Sequence, residues 1–503
     1  MSNSDQQGSK SPPKNTRNNR NKPGGKSRPR GKKREVAGLA VRRAGVEILF
    51  RILRDGEAFD RAFANVTSQD AVSSMEHRDR ALIRLLVTTA LRRRGQIEDV
   101  LKHFIAKGLP KRSGAVSEIL HVAVVQILFL DTPPHAAINI AVEQCRMDRR
   151  GQHLAKLANA VLRRVAEGGG EIIAAQDEVL LNTPSWLMKR LIASFGEGVA
   201  HKIAAAHQTT PALDISVKSD TARWVELLDG TELPGGSIRI EPKGRVEDLP
   251  GYDAGEWWVQ DVAATLPIKM LGDVRGLRVA DLCAAPGGKT MMLAALGADV
   301  WAVDNSAERL KRVHENLERL QLNANVIEAD VMTWVPGADI APDQDDADSA
   351  PDLDGVDSAP DQDNAGFDVV VLDAPCSATG TIRRHPDIPH IKKAQDAVVL
   401  AKIQQEMLVH ACDLVKPGGR LIFCTCSLDA LEGEAHLDFV ARELPALEIQ
   451  PIDATAMGWP TEWIGKEGFV RTLPHYLSND GEQLSGMDGF FAVKFIKKAD
   501  ASP

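Results

Sequence analysis

The chain has no uninterrupted apolar run of about 18 residues, the length a membrane-crossing helix needs, so no membrane association is expected. Its first residues are basic, but no apolar stretch follows them, which argues against a secretory leader. Cysteine is scarce: six residues, at 145, 283, 376, 412, 424 and 426, among 503. Their spacing is not that of a disulfide framework, so reduced thiols in a cytoplasmic protein are expected. Cys424 and Cys426 have no partner pair at ligand spacing, so no metal is expected. Two glycine signatures are also missing. No G-x-G-x-x-G opens the first strand–helix turn, which argues against a nicotinamide dehydrogenase. Residues 287–290 (GGKT) end like a phosphate loop, but that loop needs glycine where Cys283 stands.

At this length several domains are expected. The formal net charge of −8 hides an asymmetry. Residues 1–34 carry eleven Lys/Arg against one Asp and read as a disordered basic arm. Residues 338–366 carry ten Asp and no base, repeat APDQD and DSAPD, and read as a disordered acidic insertion. From 35 to 167 apolar residues recur at three- and four-residue spacing, which predicts an all-α bundle. Pro133 and Pro134 should break the helix expected over 116–130, a further helix should follow over 136–146, and 159–165 should close the region before Gly168–170. Residues 180–256 predict a small α+β linker domain, with a helix at 186–195 and short strands at 214–217 and 237–241.

From 257 to 498 strands alternate with helices, which predicts an α/β, Rossmann-like domain with a parallel sheet. Leu310, Val313, Leu317 and Leu320 give one helix its inward face. Two apolar runs end in thiols: 367–376 (FDVVVLDAPC) and 419–427 (GRLIFCTCS). Each reads as a buried strand delivering polar groups to its carboxyl end, where open α/β sheets place their chemistry. Two thiols with an intervening carboxylate suggest covalent catalysis.

Residues 279–290 (VADLCAAPGGKT) read as strand, glycine turn and helix. Gly287 and Gly288 let a ligand approach the backbone, and free amides at the helix start favour anionic groups. Asp304 ends the next strand at a spacing suited to ribose hydroxyls, and Asp330 ends the third, where an adenine amine could bind. With Asp373, carboxylates at three successive strand ends suit an adenosine-containing ligand.

The combination of CAAPGGKT (283–290), Asp304, Asp330, DAPCSATG (373–380) and TCS (425–427) resembles the RNA cytosine-C5 methyltransferases. Together with ANAVLRRV (158–165), TPSWL (183–187), VQD (259–261) and DGFF (488–491), it is similar to the RsmB (Fmu/Sun) subfamily, whose members carry a NusB-like N-terminal domain. The resemblance implies S-adenosylmethionine as donor and C5 of a cytidine in small-subunit (16S) ribosomal RNA as target. It makes Cys426 the nucleophile on C6, Asp373 the partner of N3, and Cys376 the base for release. Lys289 would be an electrostatic stabiliser. Cys283, Ala284, Ala285, Pro286, Gly287, Gly288, Lys289, Asp304, Asp330 and Asp373 would bind the donor.

C5 of cytosine is a poor nucleophile until a thiolate adds to C6, which is why this chemistry needs a thiol, an acid and a base. Residues 381–385 (TIRRH), Arg471 and His475 are expected near phosphates of the substrate. Arg42, Arg43, Arg92–94 and Arg163–164 give the helical region charge compatible with RNA. Cys424 stands where the family has a small Ser or Ala, and LEGE (431–434) where relatives often have an E-N-E-like run. No obligate protein partner is implied. Two alternatives stay open: a transfer RNA substrate, or a non-enzymatic RNA-binding antitermination factor.

Overall fold

The computed structural model describes residues 38–241, 244–336, 366–478 and 484–499. The basic arm and nearly all of the acidic insertion lie outside these residues. The helical region begins with Leu39–Asp55 and ends with Ala155–Ala174. Its axis is the helix Val116–Leu128, apolar on nearly every face and therefore buried by its neighbours. Helices Leu39–Asp55, His77–Arg92, Pro134–Met147 and Ala155–Ala174 pack around it, and Leu49, Leu86, Val87, Leu120 and Leu162 fill the space between.

The break at the two prolines is there: Val116–Leu128 ends before them, and Pro134 opens the next helix at its first position, where its fixed φ and missing N–H do no harm. Gly168–170 does not end the last helix, which runs through to Ala174. A Cβ on Gly169 would lie 3.0 Å from Leu128 Cδ1, so glycine serves close helix packing there rather than a break.

Helices Ser185–Phe195 and Glu197–Ala206 lead into a small sheet. Its strands are β1 (Leu213–Val217), β2 (Thr231–Glu232), β3 (Ile238–Ile240) and β4 (Trp257–Val259), in the order β2-β3-β1-β4. Trp257 and Trp258 thus pair with β1, so the boundary expected at 257 falls inside this sheet. At its heart Asp214 Oδ1 accepts from Arg239 Nε at 2.7 Å and Oδ2 from Nη2 at 2.9 Å, both side chains almost wholly buried. The same carboxylate accepts from Val262 N at 3.2 Å, and Arg239 Nη1 donates to Leu484 O. The pair thereby ties the small sheet to the first residue of the helix Val262–Lys269 and to the segment leading into the last strand. Asp214→Asn leaves a buried guanidinium half-paired. It is expected to lower stability by about 3–5 kcal/mol, measured by urea unfolding.

The large sheet contains β5 (Arg278–Leu282), β6 (Asp299–Asp304), β7 (Asn325–Glu328), β8 (Phe367–Asp373), β9 (Val415–Thr425), β10 (Leu447–Ile449), β11 (Val470–Thr472) and β12 (Phe490–Lys497). Its order is β10-β12-β9-β8-β5-β6-β7, with β11 beside β12. From β9 to β7 all pairs are parallel, and β12 runs antiparallel to β9. The expected helix Ala307–Leu320 buries Leu310, Val313, Leu317 and Leu320, and Ser306 caps it by accepting from Arg309 N. After β5 the chain goes out to β6 and β7, then returns to the other side of β5 as β8. Such a reversal opens a crevice at the strands' carboxyl ends. No described helix is long and apolar enough to cross a membrane.

Candidate active site

Adjacent strands explain why two cysteines fifty residues apart meet. In the β8–β9 pair Asp373 stands opposite Cys424, and each chain then runs on a few residues past the sheet. Ala374 N donates to Cys424 O at 3.0 Å and Gly380 N to Cys426 O at 2.9 Å, so the two exit loops stay paired. A side chain at Gly380 would strike Gly489 O at 1.9 Å, so the loops can close only with glycine there. The result is a Cys376 Sγ···Cys426 Sγ separation of 3.4 Å. The hydrogen bond with Cys426, and then burial, hold the Cys376 thiol well above the ordinary thiol range. Either sulfur can donate to the other at this distance.

Behind the thiols Lys289 Nζ donates to Asp373 Oδ2 at 2.7 Å and lies 5.0 Å from the centre of the Phe490 ring. Burial works against the ammonium, but Asp373, with Cys424 and Asp281 nearby, outweighs it and holds Lys289 above its usual range. Its ammonium thus stays paired with Asp373 on the wall of the crevice. Cys424 is fully buried, its Sγ 3.6 Å from Asp373 Oδ1, and burial followed by Asp373 pushes its thiol well up. Two positions further back from Asp373, on the neighbouring strand β5, burial pushes Asp281 up to about 7, and its Oδ2 accepts from Thr290 Oγ1 at 2.6 Å.

The turn 283–288 follows β5. Cys283 takes a left-handed φ of 62° and Gly287 one of 104°, which bends the chain sharply before the helix Gly288–Ala295. Burial, then Asp373, pushes the Cys283 thiol up to about 12, the direction that disfavours a thiolate. Asp304 fixes the turn: Oδ2 accepts from Ala285 N at 3.1 Å and Oδ1 from Ser306 N at 3.1 Å. Oδ2 also meets Arg309 Nη1 at 3.4 Å, while Oδ1 keeps a further lone pair. Asp330 is exposed, with Oδ1 accepting from Met332 N at 3.0 Å.

All of the expected site residues except Gly287 line one cleft of about 710 Å³. That volume suits a whole cofactor together with a reacting group, since ligand sites typically measure roughly 300–1,000 Å³. The three carboxylates stand on its walls beside the turn, and Gly288 presents bare backbone. A Cβ there would come within 3.3 Å of Gln260 Nε2. These groups fit an adenosyl ligand. Among the described residues, no cluster of His, Cys, Asp or Glu is arranged to hold a metal ion.

Some expectations about the substrate side are overturned. Arg383 is 1% exposed and donates to Ser485 O at 2.6 Å. Arg471 is buried as well: its guanidinium meets Glu434 at 2.7 and 2.9 Å and donates to Ser427 O at 2.6 Å. Both brace the interior and neither is free for a phosphate. Arg384 does line the cleft, paired with the buried Asp488. His385 lines it too, 3.7 Å from Asp60 of the helical region. Ala58 and Asp60 therefore form part of the wall, which no periodicity could have signalled. The contact is locked by Phe59 N donating to Asp387 Oδ2 at 3.0 Å and by His390 Nε2 donating to Leu91 O at 2.9 Å. Glu432, completely buried, is the other group that the sequence did not single out.

Comparison with known proteins agrees with this geometry. The family described as 16S rRNA methyltransferase RsmB/F matches residues 269–496, and the NusB family matches 39–167. A ribosomal RNA small subunit methyltransferase B from Erwinia tasmaniensis is 32% identical over 443 residues, covering 85% of this chain and 93% of the relative. The same enzyme from Escherichia coli is 33% identical over 436 residues, covering 84% and 91%. Among solved structures, that of PH0851 shares the fold, with a TM-score of 0.69 at 21% identity over 93% of this chain and 100% of that one. The chain belongs to the RsmB/F family and is an S-adenosylmethionine-dependent RNA methyltransferase with a NusB-like N-terminal region.

Proposed function

We propose that the chain methylates C5 of a cytidine in small-subunit ribosomal RNA, in the cytoplasm, through a transient bond between Cys426 and C6 of the base. The observation that carries this reading is the sulfur pair at 3.4 Å beside the Lys289–Asp373 bridge, on the wall of the cleft. The donor would be held by the turn 283–289 with Asp304, Asp330 and Asp373, and it supplies an activated methyl group on a sulfonium. The similarity of the relatives across the NusB-like region as well as the sheet favours ribosomal over transfer RNA.

Cys426 gives up its thiol proton, which Asp373 relays to N3, and adds as thiolate to C6, so that the proton neutralises the charge that moves to N3. Lys289 keeps that corner electropositive. Once the sulfur of Cys426 is bonded to carbon, Cys376 is the thiol that stands beside the adduct. Cys376 can release its proton to solvent, take the proton from C5 after methylation, and so let the C6–S bond break with Cys426 leaving as thiolate. The base must first leave its stack, which a loop or single-stranded site makes easiest.

The test is tritium transfer from labelled S-adenosylmethionine to small-subunit ribosomal RNA from a strain lacking the gene, with the product mapped by bisulfite sequencing. One protected cytidine per RNA is the expected result. No transfer to that RNA, or label anywhere but cytosine C5, would overturn the reading.

A further inference from the structure

Glu432 has an environment that its packing alone does not call for. Its side chain is 0% exposed and does not reach the cleft, so it touches neither substrate nor donor. A buried carboxylate costs several kcal/mol in desolvation, and an apolar residue of similar size would usually serve stability as well. The bonds that hold it lead to the residues flanking the two thiols. Oε1 accepts from Ser377 N at 2.9 Å and from Gln404 Nε2 at 3.1 Å, while Oε2 accepts from Ser427 Oγ at 2.6 Å and from the Ser377 hydroxyl. Gln404 Nε2 also donates to Pro375 O at 2.9 Å, and its Oε1 accepts from His436 Nε2 at 2.8 Å. From the Glu432 backbone, the carbonyl accepts from Thr425 Oγ1 at 2.9 Å.

One carboxylate therefore grips the neighbour of Cys376 and the neighbour of Cys426, and through Gln404 the residue on the other side of Cys376. Gly433 leaves room for this: a Cβ there would lie 2.4 Å from Arg471 Nη2, whose guanidinium braces Ser427 O. The glycine in LEGE is thus the residue that lets the buried glutamate and Arg471 sit side by side.

We propose that Glu432 is a positioning residue that sets the separation of the Cys376 and Cys426 sulfurs, an inference that rests on the covalent reading above. It acts through Ser377 and Ser427, and the sequence pattern that encodes it is Cys-Ser in both loops with an acid five residues after the second serine. Displacing one reacting group by about 1 Å is enough to slow a reaction about 100-fold.

Two readouts test it on the full-length protein. Diamide takes two electrons and two protons from a dithiol, becoming the hydrazine as the Cys376–Cys426 disulfide forms. The rate, read by peptide mass spectrometry so that Cys424 linkages are kept apart, reports thiol approach without any methylation. Steady-state methyl transfer is the second readout. Glu432→Ala is expected to slow disulfide formation about tenfold and to lower kcat about 100-fold, with KM for the donor within about threefold. Glu432→Gln, which keeps shape and one acceptor, should recover most of both. Ser377→Ala removes a single grip and should fall between; it carries the test if Glu432→Ala does not fold. Unchanged disulfide formation in a folded variant would overturn the proposal, as would a kcat that falls while thiol approach stays normal. Should the wild-type protein fail to methylate RNA, the covalent reading falls, and the diamide rates still decide this one.

Discussion

Cys426→Ala is expected to abolish methyl transfer, with a loss on the order of 10⁴-fold or more. Removing a nucleophile takes away the activated form of C5 itself, so no other group in the cleft can compensate by binding more tightly. Cys424, two residues earlier, offers no substitute. It is fully buried against Asp373, and burial holds its thiol in the protonated form. Donor affinity should stay within about threefold of wild type, because the turn 283–289, Asp304 and Asp330 do not depend on that sulfur. Calorimetry with S-adenosylmethionine and single-turnover tritium transfer measure the two quantities separately. A Cys426→Ala protein that still turned over at a few per cent of the normal rate would show that the bond to C6 is not required.

Cys376→Ala should behave in the opposite sense before it behaves in the same one. Attack by Cys426 remains possible, so a protein–RNA adduct is expected to build up as a band that survives denaturation in detergent. Turnover should fall about 10²–10⁴-fold, the usual worth of a general base. In Cys376→Ala/Cys426→Ala the band should vanish, which distinguishes a true adduct from trapped RNA. Normal turnover in Cys376→Ala would refute the release role. An absent band with normal donor binding would place Cys376 in the attack step instead.

The layered architecture was legible in the sequence because hydrophobic periodicity is a local signal. Leu310, Val313, Leu317 and Leu320 face inward as their spacing demands, and the apolar runs before Cys376 and Cys426 form the interior strands β8 and β9. That those strands are neighbours, with Asp373 opposite Cys424, is a fact of topology and appears only in the fold. Charge was the least reliable guide. A guanidinium suits a phosphate, a carboxylate or a backbone carbonyl equally well, and the partners of Arg383 and Arg471 come from Ser485, Glu434 and Ser427. Gly168–170 misled for a related reason, since glycine permits a turn and also a close helix contact. Glu432 lies in the run LEGE, but nothing next to it announces that Ser377, fifty-five residues away, will bind it.

The wall built by Ala58 and Asp60 bears on how this protein can be cut. Enzymes often tolerate amputation of an accessory module, but here a fragment starting after Ala174 would bare the carboxylate of Asp387 and the ring of His390, and with them one side of the crevice that holds the sulfurs. The helical region and the sheet share a single wall, so a gene encoding only the sheet would be expected to yield a protein with an incomplete cleft.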